Sequence, residues 1–192
     1  MIVLASASPR RAEILRAAGI DFVVRPANVP EDVHAGENPE AYVRRLAVDK
    51  AAAIEGDGTI VLAADTTVVA GGSEILGKPE SPGDAARMLL LLSGQWHEVI
   101  TGIALRRGSR TIADAAVTRV RFHEIPPAEL AAYAASAEPG DKAGAYAIQG
   151  VASRWVDRIE GCYFNVVGLP VSLVWRRLRE FDYQSTTEPS SS

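Results

Sequence analysis

A chain of 192 residues with 47% apolar side chains can bury a full core, and a formal charge of −4 with a pI near 5.4 excludes the broad cationic surface needed to coat a nucleic acid. Cys162 is the only cysteine, which excludes an internal disulfide and a cysteine-based zinc site and suits a reducing compartment. The apolar runs are strand-length or belong to amphipathic helices, and no basic flank, apolar stretch and cleavage site stand in series at the N-terminus; the expectation is a cytoplasmic protein that binds neither membrane nor nucleic acid.

The opening "MIVLA" reads as a buried strand, and Ser8 then Pro9 read as the N-cap and first residue of a helix closed by Gly19. "IDFVVRPA" predicts a second strand and "NVPEDVHAGENP" a polar loop, after which Asn38 and Pro39 start another helix. The apolar run over 60–64 is too uniform for a strand with one wet face and predicts a central strand. Ser81 and Pro82 start a Leu-rich helix assigned to core packing, and two long strands follow, joined by a polar turn between Arg107 and Arg110. Pro126 and Pro127 open a short Ala-rich helix, "GDKAGAYAIQG" reads as a glycine-punctuated loop, and the segment from Ser153 to Phe181 reads as strand, turn and closing helix. Strands and helices alternate early while a hairpin interrupts the second half. The fold class is therefore α/β: a mixed twisted sheet with flanking helices, in two lobes around a cleft, forming a single domain over 1–183 with a solvated, disordered tail at 184–192.

Several charged residues sit where the local pattern argues against them. The first turn of a helix carries unpaired N–H groups and the positive end of the macrodipole, yet Arg10 and Arg11 stand there. Either exposed arginines are tolerated at a small cost, or a strand-to-helix turn with two hydroxyls, Ser6 and Ser8, and two guanidiniums awaits an anion such as phosphate. The standard phosphate-loop patterns G-x-x-x-x-G-K-[ST] and G-x-G-x-x-G are absent. On the second helix Lys50 falls in line with Val43, Leu46 and Ala47, on the apolar stripe, where it either snorkels and complements the helix C-terminus or reaches a partner. Asp65 ends or interrupts the most apolar strand; it is a turn cap, or else a carboxylate that is paired, holds a cation, or emerges where open α/β sheets place ligands. Lys78 in "LGKP" is a further cation suited to phosphate oxygens, and Glu31, a solvated charge when taken alone, is a candidate second carboxylate. Together the cations at 10, 11, 50 and 78 and the carboxylates at 31 and 65 fit a triphosphate with Mg²⁺ or Mn²⁺ held by Asp65 and Glu31. His34, His97 and His123 lack metal-ligand spacing, and no G-x-S-x-G elbow is present.

"LASASPRR", "AVDKA", "AADTTV", "LGKP", "LSGQWHEVITG", "DKAGAYAIQG" and "NVVGLP" stand in the order and spacing of the Maf family of nucleoside triphosphate pyrophosphatases, which the chain resembles from Ile2 to Phe181. The resemblance implies a house-cleaning enzyme that cleaves between the α and β phosphates with a divalent cation, on a fold similar to inosine triphosphate pyrophosphatases. It implies Asp65 as general base, with Ser8, Arg11, Glu31, Lys50 and Lys78 as polar lining of the cleft. Arg10, Thr66 and Gln149 match the branch acting on dTTP and UTP, where the branch acting on 7-methyl-GTP resembles Trp, Gln and Glu. A Gln amide can accept from N3–H and donate to O4 of uracil or thymine. Ala147 departs from the Gly that members often carry there and is expected to stiffen the loop bearing Gln149. The partner expected is the nucleotide, with a homodimer left open. The alternatives are a regulator of septum formation or cell shape that acts by binding a partner, and a pyrophosphatase for other modified nucleotides.

Overall fold

The structure is a computed structural model that describes residues 1–55 and 58–184. In chain order it contains β1 (Ile2–Leu4), α1 (Pro9–Ala17), β2 (Phe22–Val24), α2 (Pro39–Ala52), β3 (Val61–Ala70), β4 (Glu74–Leu76), α3 (Pro82–Leu92), β5 (Trp96–Arg107), β6 (Arg110–Phe122), α4 (Pro127–Ala134), β7 (Val156–Glu160), α5 (Tyr163–Val167) and α6 (Val171–Arg179). The strands form a seven-stranded sheet in the order β2-β1-β3-β5-β6-β7, with β4 paired to β3. β1 is parallel to β2 and β3, while β4 on β3 and β7 on β6 are antiparallel. This is the expected mixed α/β sheet with helices. Among the described residues no helix is long and apolar enough to cross a membrane. The tail expected at 184–192 lies, from residue 185 on, outside the described residues.

Two compact units divide the chain: Met1–Asp65, Thr101–Ala116 and the residues from Gly168 onward in the first, Thr66–Ile100 and Val117–Val167 in the second. In the first unit, α2 begins where Asn38 caps it, its side chain accepting from the Ala41 N–H at 2.8 Å with Pro39 at the first helical position. Its buried face meets the strands through small side chains. Val3, Ala5, Ala47, Ala51, Ile54, Val61, Ala63 and Ala104 form one core cluster, and at Gly102 on β5 a Cβ would lie 2.3 Å from the Val43 carbonyl oxygen. Only glycine permits that approach of helix backbone to strand.

Of the two places the sequence leaves open for Asp65, an end or an interruption of the strand, the structure takes the interior one, with β3 running through Asp65 to Ala70. Two expectations need correction, at α3 and after β7. The Leu run of α3 is not wholly core: Leu89 and Leu92 are buried, but Leu90 is 65% and Leu91 39% exposed, because consecutive residues on a 3.6-residue helix cannot share one face. The segment expected as a plain turn after β7 also holds the short helix α5, anchored by the buried Asn165 amide, which donates to the Val99 carbonyl and to Thr118 Oγ1.

The second unit has an aromatic centre. Phe122 stands edge-on to His97, Tyr146 and Trp155, and Tyr133 stands edge-on to Trp155. His97 Nε2 and Tyr146 Oη are 2.8 Å apart, and His97 Nδ1 is buried without a hydrogen-bond partner. Burial holds the His97 imidazole down from 6.5 to about 4. The unfolded chain therefore binds one more proton between those values, so the contribution of neutral His97 is complete above pH 6.5 and is lost as the pH falls towards 4. Urea unfolding of the wild type against His97→Gln should show the difference in stability shrinking below about pH 6.5, at up to about 1.4 kcal/mol per pH unit; parallel pH profiles would remove His97 from the acid sensitivity.

Candidate active site

The first unit gathers the charged residues that the sequence singles out between 8 and 65. β1 ends at Leu4, opposite Leu62, and the last bond of that ladder runs from the Ala5 N–H to the Leu62 carbonyl at 2.8 Å. Beyond it β3 continues without β1, and Asp65 stands in this stretch, 8% exposed. A carboxylate so deep needs a partner. It has one: Lys50 Nζ lies 2.6 Å from Asp65 Oδ1 and 2.6 Å from Glu31 Oε1. Lys50 as a residue is 8% exposed, on the buried stripe of α2 in the last turn, where the helix dipole also favours a cation. Lys50 thus does not snorkel to solvent; it bridges two carboxylates.

Glu31 belongs to an exposed loop, and α2 holds that loop by side chains that sequence reasoning missed. Tyr42 Oη donates to the Glu31 carbonyl at 2.9 Å, and Arg45 Nη2 donates to the Asp32 carbonyl at 2.9 Å. Arg45 also grips Glu37 through Nε and Nη2, each at 2.7 Å, and this fork pulls the Glu37 carboxyl down to about 2. Burial, followed by the charges of Asp65 and Glu31, pushes the Tyr42 phenol up to about 12. The helical spacing of Tyr42, Arg45 or Leu46, and Asp49 or Lys50 was the available signal, since residues three and four apart share a face.

At the start of α1 the structure assigns Arg11 a second duty. Its Nε donates to the Gly168 carbonyl at 2.8 Å, and its Nη1 donates to the Ala64 carbonyl at 2.8 Å and to Ser6 Oγ at 3.0 Å. Ser6 Oγ also accepts the Ser8 N–H at 3.2 Å. Burial lowers the Arg11 pKa, Asp65 opposing and neighbouring Arg10 adding to the fall. Ser8 takes the N-cap position with its hydroxyl in no capping bond, and no acidic residue stands in the first turn.

Glu31, Lys50 and Asp65 are therefore joined, with Arg11 within electrostatic reach of Asp65. Thr66, Lys78 and Gln149 belong to the second unit. Thr66 follows Asp65 on β3 and is half-buried, Lys78 is exposed after β4, and Gln149 is exposed in a turn closed by the Gly150 N–H on the Ala147 carbonyl at 3.0 Å. Ala147 is not among the residues with positive φ, so the departure from Gly puts no strain on that turn. Among the described residues no three His, Cys, Asp or Glu side chains cluster in a way that could hold a metal by themselves.

Breaking a buried pair by removing one partner typically costs about 3 to 5 kcal/mol, whereas replacing both by apolar groups is often tolerated. Lys50→Met should destabilise the protein by about 3 kcal/mol in urea unfolding, and Lys50→Met with Asp65→Val should be less destabilised than the single variant. A Lys50→Met midpoint equal to wild type would show that the bridge contributes nothing to stability.

The family profile described as "Maf-like protein" matches residues 1–181. A dTTP/UTP pyrophosphatase of Koribacter versatilis is 52% identical over 180 residues, covering 93% of this chain and 93% of that protein. A dTTP/UTP pyrophosphatase of Anaeromyxobacter sp. is 54% identical over 183 residues, with 93% and 88% covered, and one of Bacillus cereus is 45% identical over 187 residues, with 96% and 97% covered. On the match along nearly its whole length and on relatives at this identity, the chain belongs to the Maf-like protein family.

Proposed function

We propose that this protein is a nucleoside triphosphate pyrophosphatase that hydrolyses dTTP and UTP to the monophosphate and pyrophosphate. The observation that carries the reading is the buried Asp65, set in an apolar strand and oriented through one oxygen by Lys50. Relatives named dTTP/UTP pyrophosphatase share about half of their residues with the chain over 93% of its length, which supports carrying the activity over.

The chemistry follows from what each side chain can do. Lys50 fixes Asp65 Oδ1, which aims the carboxylate and leaves its other oxygen as the atom to take a proton from the attacking water. Arg10 and Lys78 supply positive charge for phosphate oxygens, and Ser8 a hydroxyl donor. Arg11, tied through Nε and Nη1 to the fold, contributes mainly a fixed positive field. The two carboxylates joined at Lys50 suit a cation whose remaining ligands are phosphate oxygens and water, which is the habit of Mg²⁺ or Mn²⁺; Asp65 and Glu31 would hold it, Lys50 sharing one oxygen of each. When bound, such an ion neutralises charge on the phosphates. The resemblance assigns base reading to Arg10, Thr66 and Gln149 residue by residue, and the Gln149 amide matches the donor and acceptor pattern of a 4-oxopyrimidine.

Asp65→Asn tests the central assignment. Loss of a positioned general base costs roughly 10² to 10⁴ in rate, so the folded variant should lose kcat by that factor, and wild-type kcat in it would sink the role. A screen of nucleoside triphosphates, read by released pyrophosphate, tests the substrate. UTP and dTTP should exceed CTP and the purine nucleotides at least about tenfold in kcat/KM, one step of about 1.4 kcal/mol, and EDTA should stop the reaction until Mg²⁺ or Mn²⁺ is returned. Equal kcat/KM for UTP and CTP would take the base-reading role from Gln149, and full activity after exhaustive chelation would exclude the cation.

A further inference from the structure

The residue given the base-reading role, Gln149, is exposed at the crest of a tight turn, yet a reader that discriminates must be held. The structure shows what holds it. Glu138 Oε1 accepts the Val151 N–H at 3.0 Å and the Tyr133 hydroxyl at 3.1 Å. Tyr133 Oη in turn accepts the Ala147 N–H at 3.4 Å. Ala147 and Val151 flank Gln149 by two residues on either side, so both ends of the turn hang on one carboxylate and one phenol. Tyr133 is 4% exposed and packs edge-on to the buried Trp155, which gives the phenol a rigid base. Lys142 Nζ donates to the Glu138 carbonyl at 2.7 Å and fixes the backbone that carries the carboxylate.

Gly150 makes room for this arrangement. A Cβ there would fall 1.7 Å from Glu138 Oε1 and 2.5 Å from its Cδ. The φ of Gly150 is −104°, an ordinary value for any residue, so the glycine is needed for space and not for its backbone angle. Before the turn, Tyr146 meets His97 at 2.8 Å in the aromatic centre, which anchors the approach to Ala147 as well. A half-buried carboxylate serving a buried hydroxyl and a backbone N–H while a glycine is kept clear for it is more than a solvated charge.

We propose that Glu138, seated on Tyr133 and admitted by Gly150, is the positioning residue that sets nucleobase specificity by fixing the turn that presents Gln149. It acts through Gln149 and touches no substrate. The inference rests on the base-reading role proposed above. Loosening the turn lets the Gln149 amide flip or drift, so that a 4-amino pyrimidine is met as well as a 4-oxo one; the loss falls on discrimination and on KM, not on the chemical step.

The test measures kcat and KM for UTP and CTP, together with amide hydrogen exchange over 147–151, in wild type, Glu138→Ala, Glu138→Gln and Gly150→Ala. Glu138→Ala and Gly150→Ala should each lower the UTP-over-CTP ratio of kcat/KM by about tenfold, a step of about 1.4 kcal/mol, mainly by raising KM for UTP, and should speed exchange at Val151. Glu138→Gln, whose amide oxygen can accept both hydrogen bonds, should restore the ratio; if Glu138→Ala does not fold, Gly150→Ala carries the comparison by displacing the carboxylate. Equal losses on UTP and CTP, with the ratio kept, would mean a merely structural Glu138 and overturn the proposal. A wild type that itself fails to prefer UTP over CTP overturns it differently, through the role of Gln149, so the two failures are told apart by the wild-type ratio.

Discussion

An ammonium buried between two carboxylates is the constraint on which the first unit turns. Lys50 lies within 2.6 Å of both Asp65 and Glu31, and neither Lys50 nor Asp65 reaches solvent to any useful extent. Desolvating those charges costs several kcal/mol per ion before their attraction returns it, so such a pair is a poor way to gain stability and a good way to fix geometry. The helix must hold its last turn against the middle of β3, at one rotation, or the charges are stranded. A hydrophobic pair of equal volume would tolerate sliding. The ion pair does not.

That demand passes backward into residues that carry no charge. For the end of α2 to meet a mid-strand side chain, the helix has to lie close against the strands, and the small side chains at 47, 51, 63 and 104 make the space. Gly102 is the limiting case, because a Cβ there would lie 2.3 Å from the Val43 carbonyl, and no rearrangement of side chains relieves a clash with backbone. On the other side, the loop that brings Glu31 is held by Tyr42 and Arg45, which rise from the same helix as Lys50. One helix thereby supplies the cation, the loop restraints and the packed face, so the relation among the three charges is set within a single rigid element.

The sequence carried much of this and left out what depends on contact. The starts of α2 and α3 were legible because Asn38 and Ser81 precede prolines and cap as local chemistry demands. Lys50 and Asp65 were each legible as anomalies, a cation on an apolar stripe and a carboxylate in an apolar run, since burial without a partner is costly whatever the fold. That they satisfy each other was not legible, because they lie 15 residues apart on elements whose packing no periodicity dictates. Whether the strand ended or ran on at Asp65 was open for the same reason: a charge can read locally as an end, and here the partner makes it an interior position. Tyr133 and Glu138 were invisible as a pair, since a short Ala-rich helix and a polar loop both look ordinary until the phenol and carboxylate meet the turn at 147–151.

The two arginines at the head of α1 separate in the same light. A cation there opposes the helix dipole, and the sequence leaves an anion or simple tolerance as explanations. The structure adds a third for Arg11: carbonyl oxygens at Ala64 and Gly168 and the Ser6 hydroxyl surround the guanidinium, so its partners are in the fold itself. The Ala64 carbonyl lies past the end of the β1 pairing at Leu62 and before β4 joins β3 at Val68, and the guanidinium supplies a hydrogen bond to it, next to Asp65. A lysine would lose the planar fork that reaches carbonyls on two different segments at once. Arg11 thus secures the strand from one side of Asp65 as Lys50 secures its carboxylate, and the cation that the sequence assigns to substrate first acts as part of the frame that holds the carboxylate still.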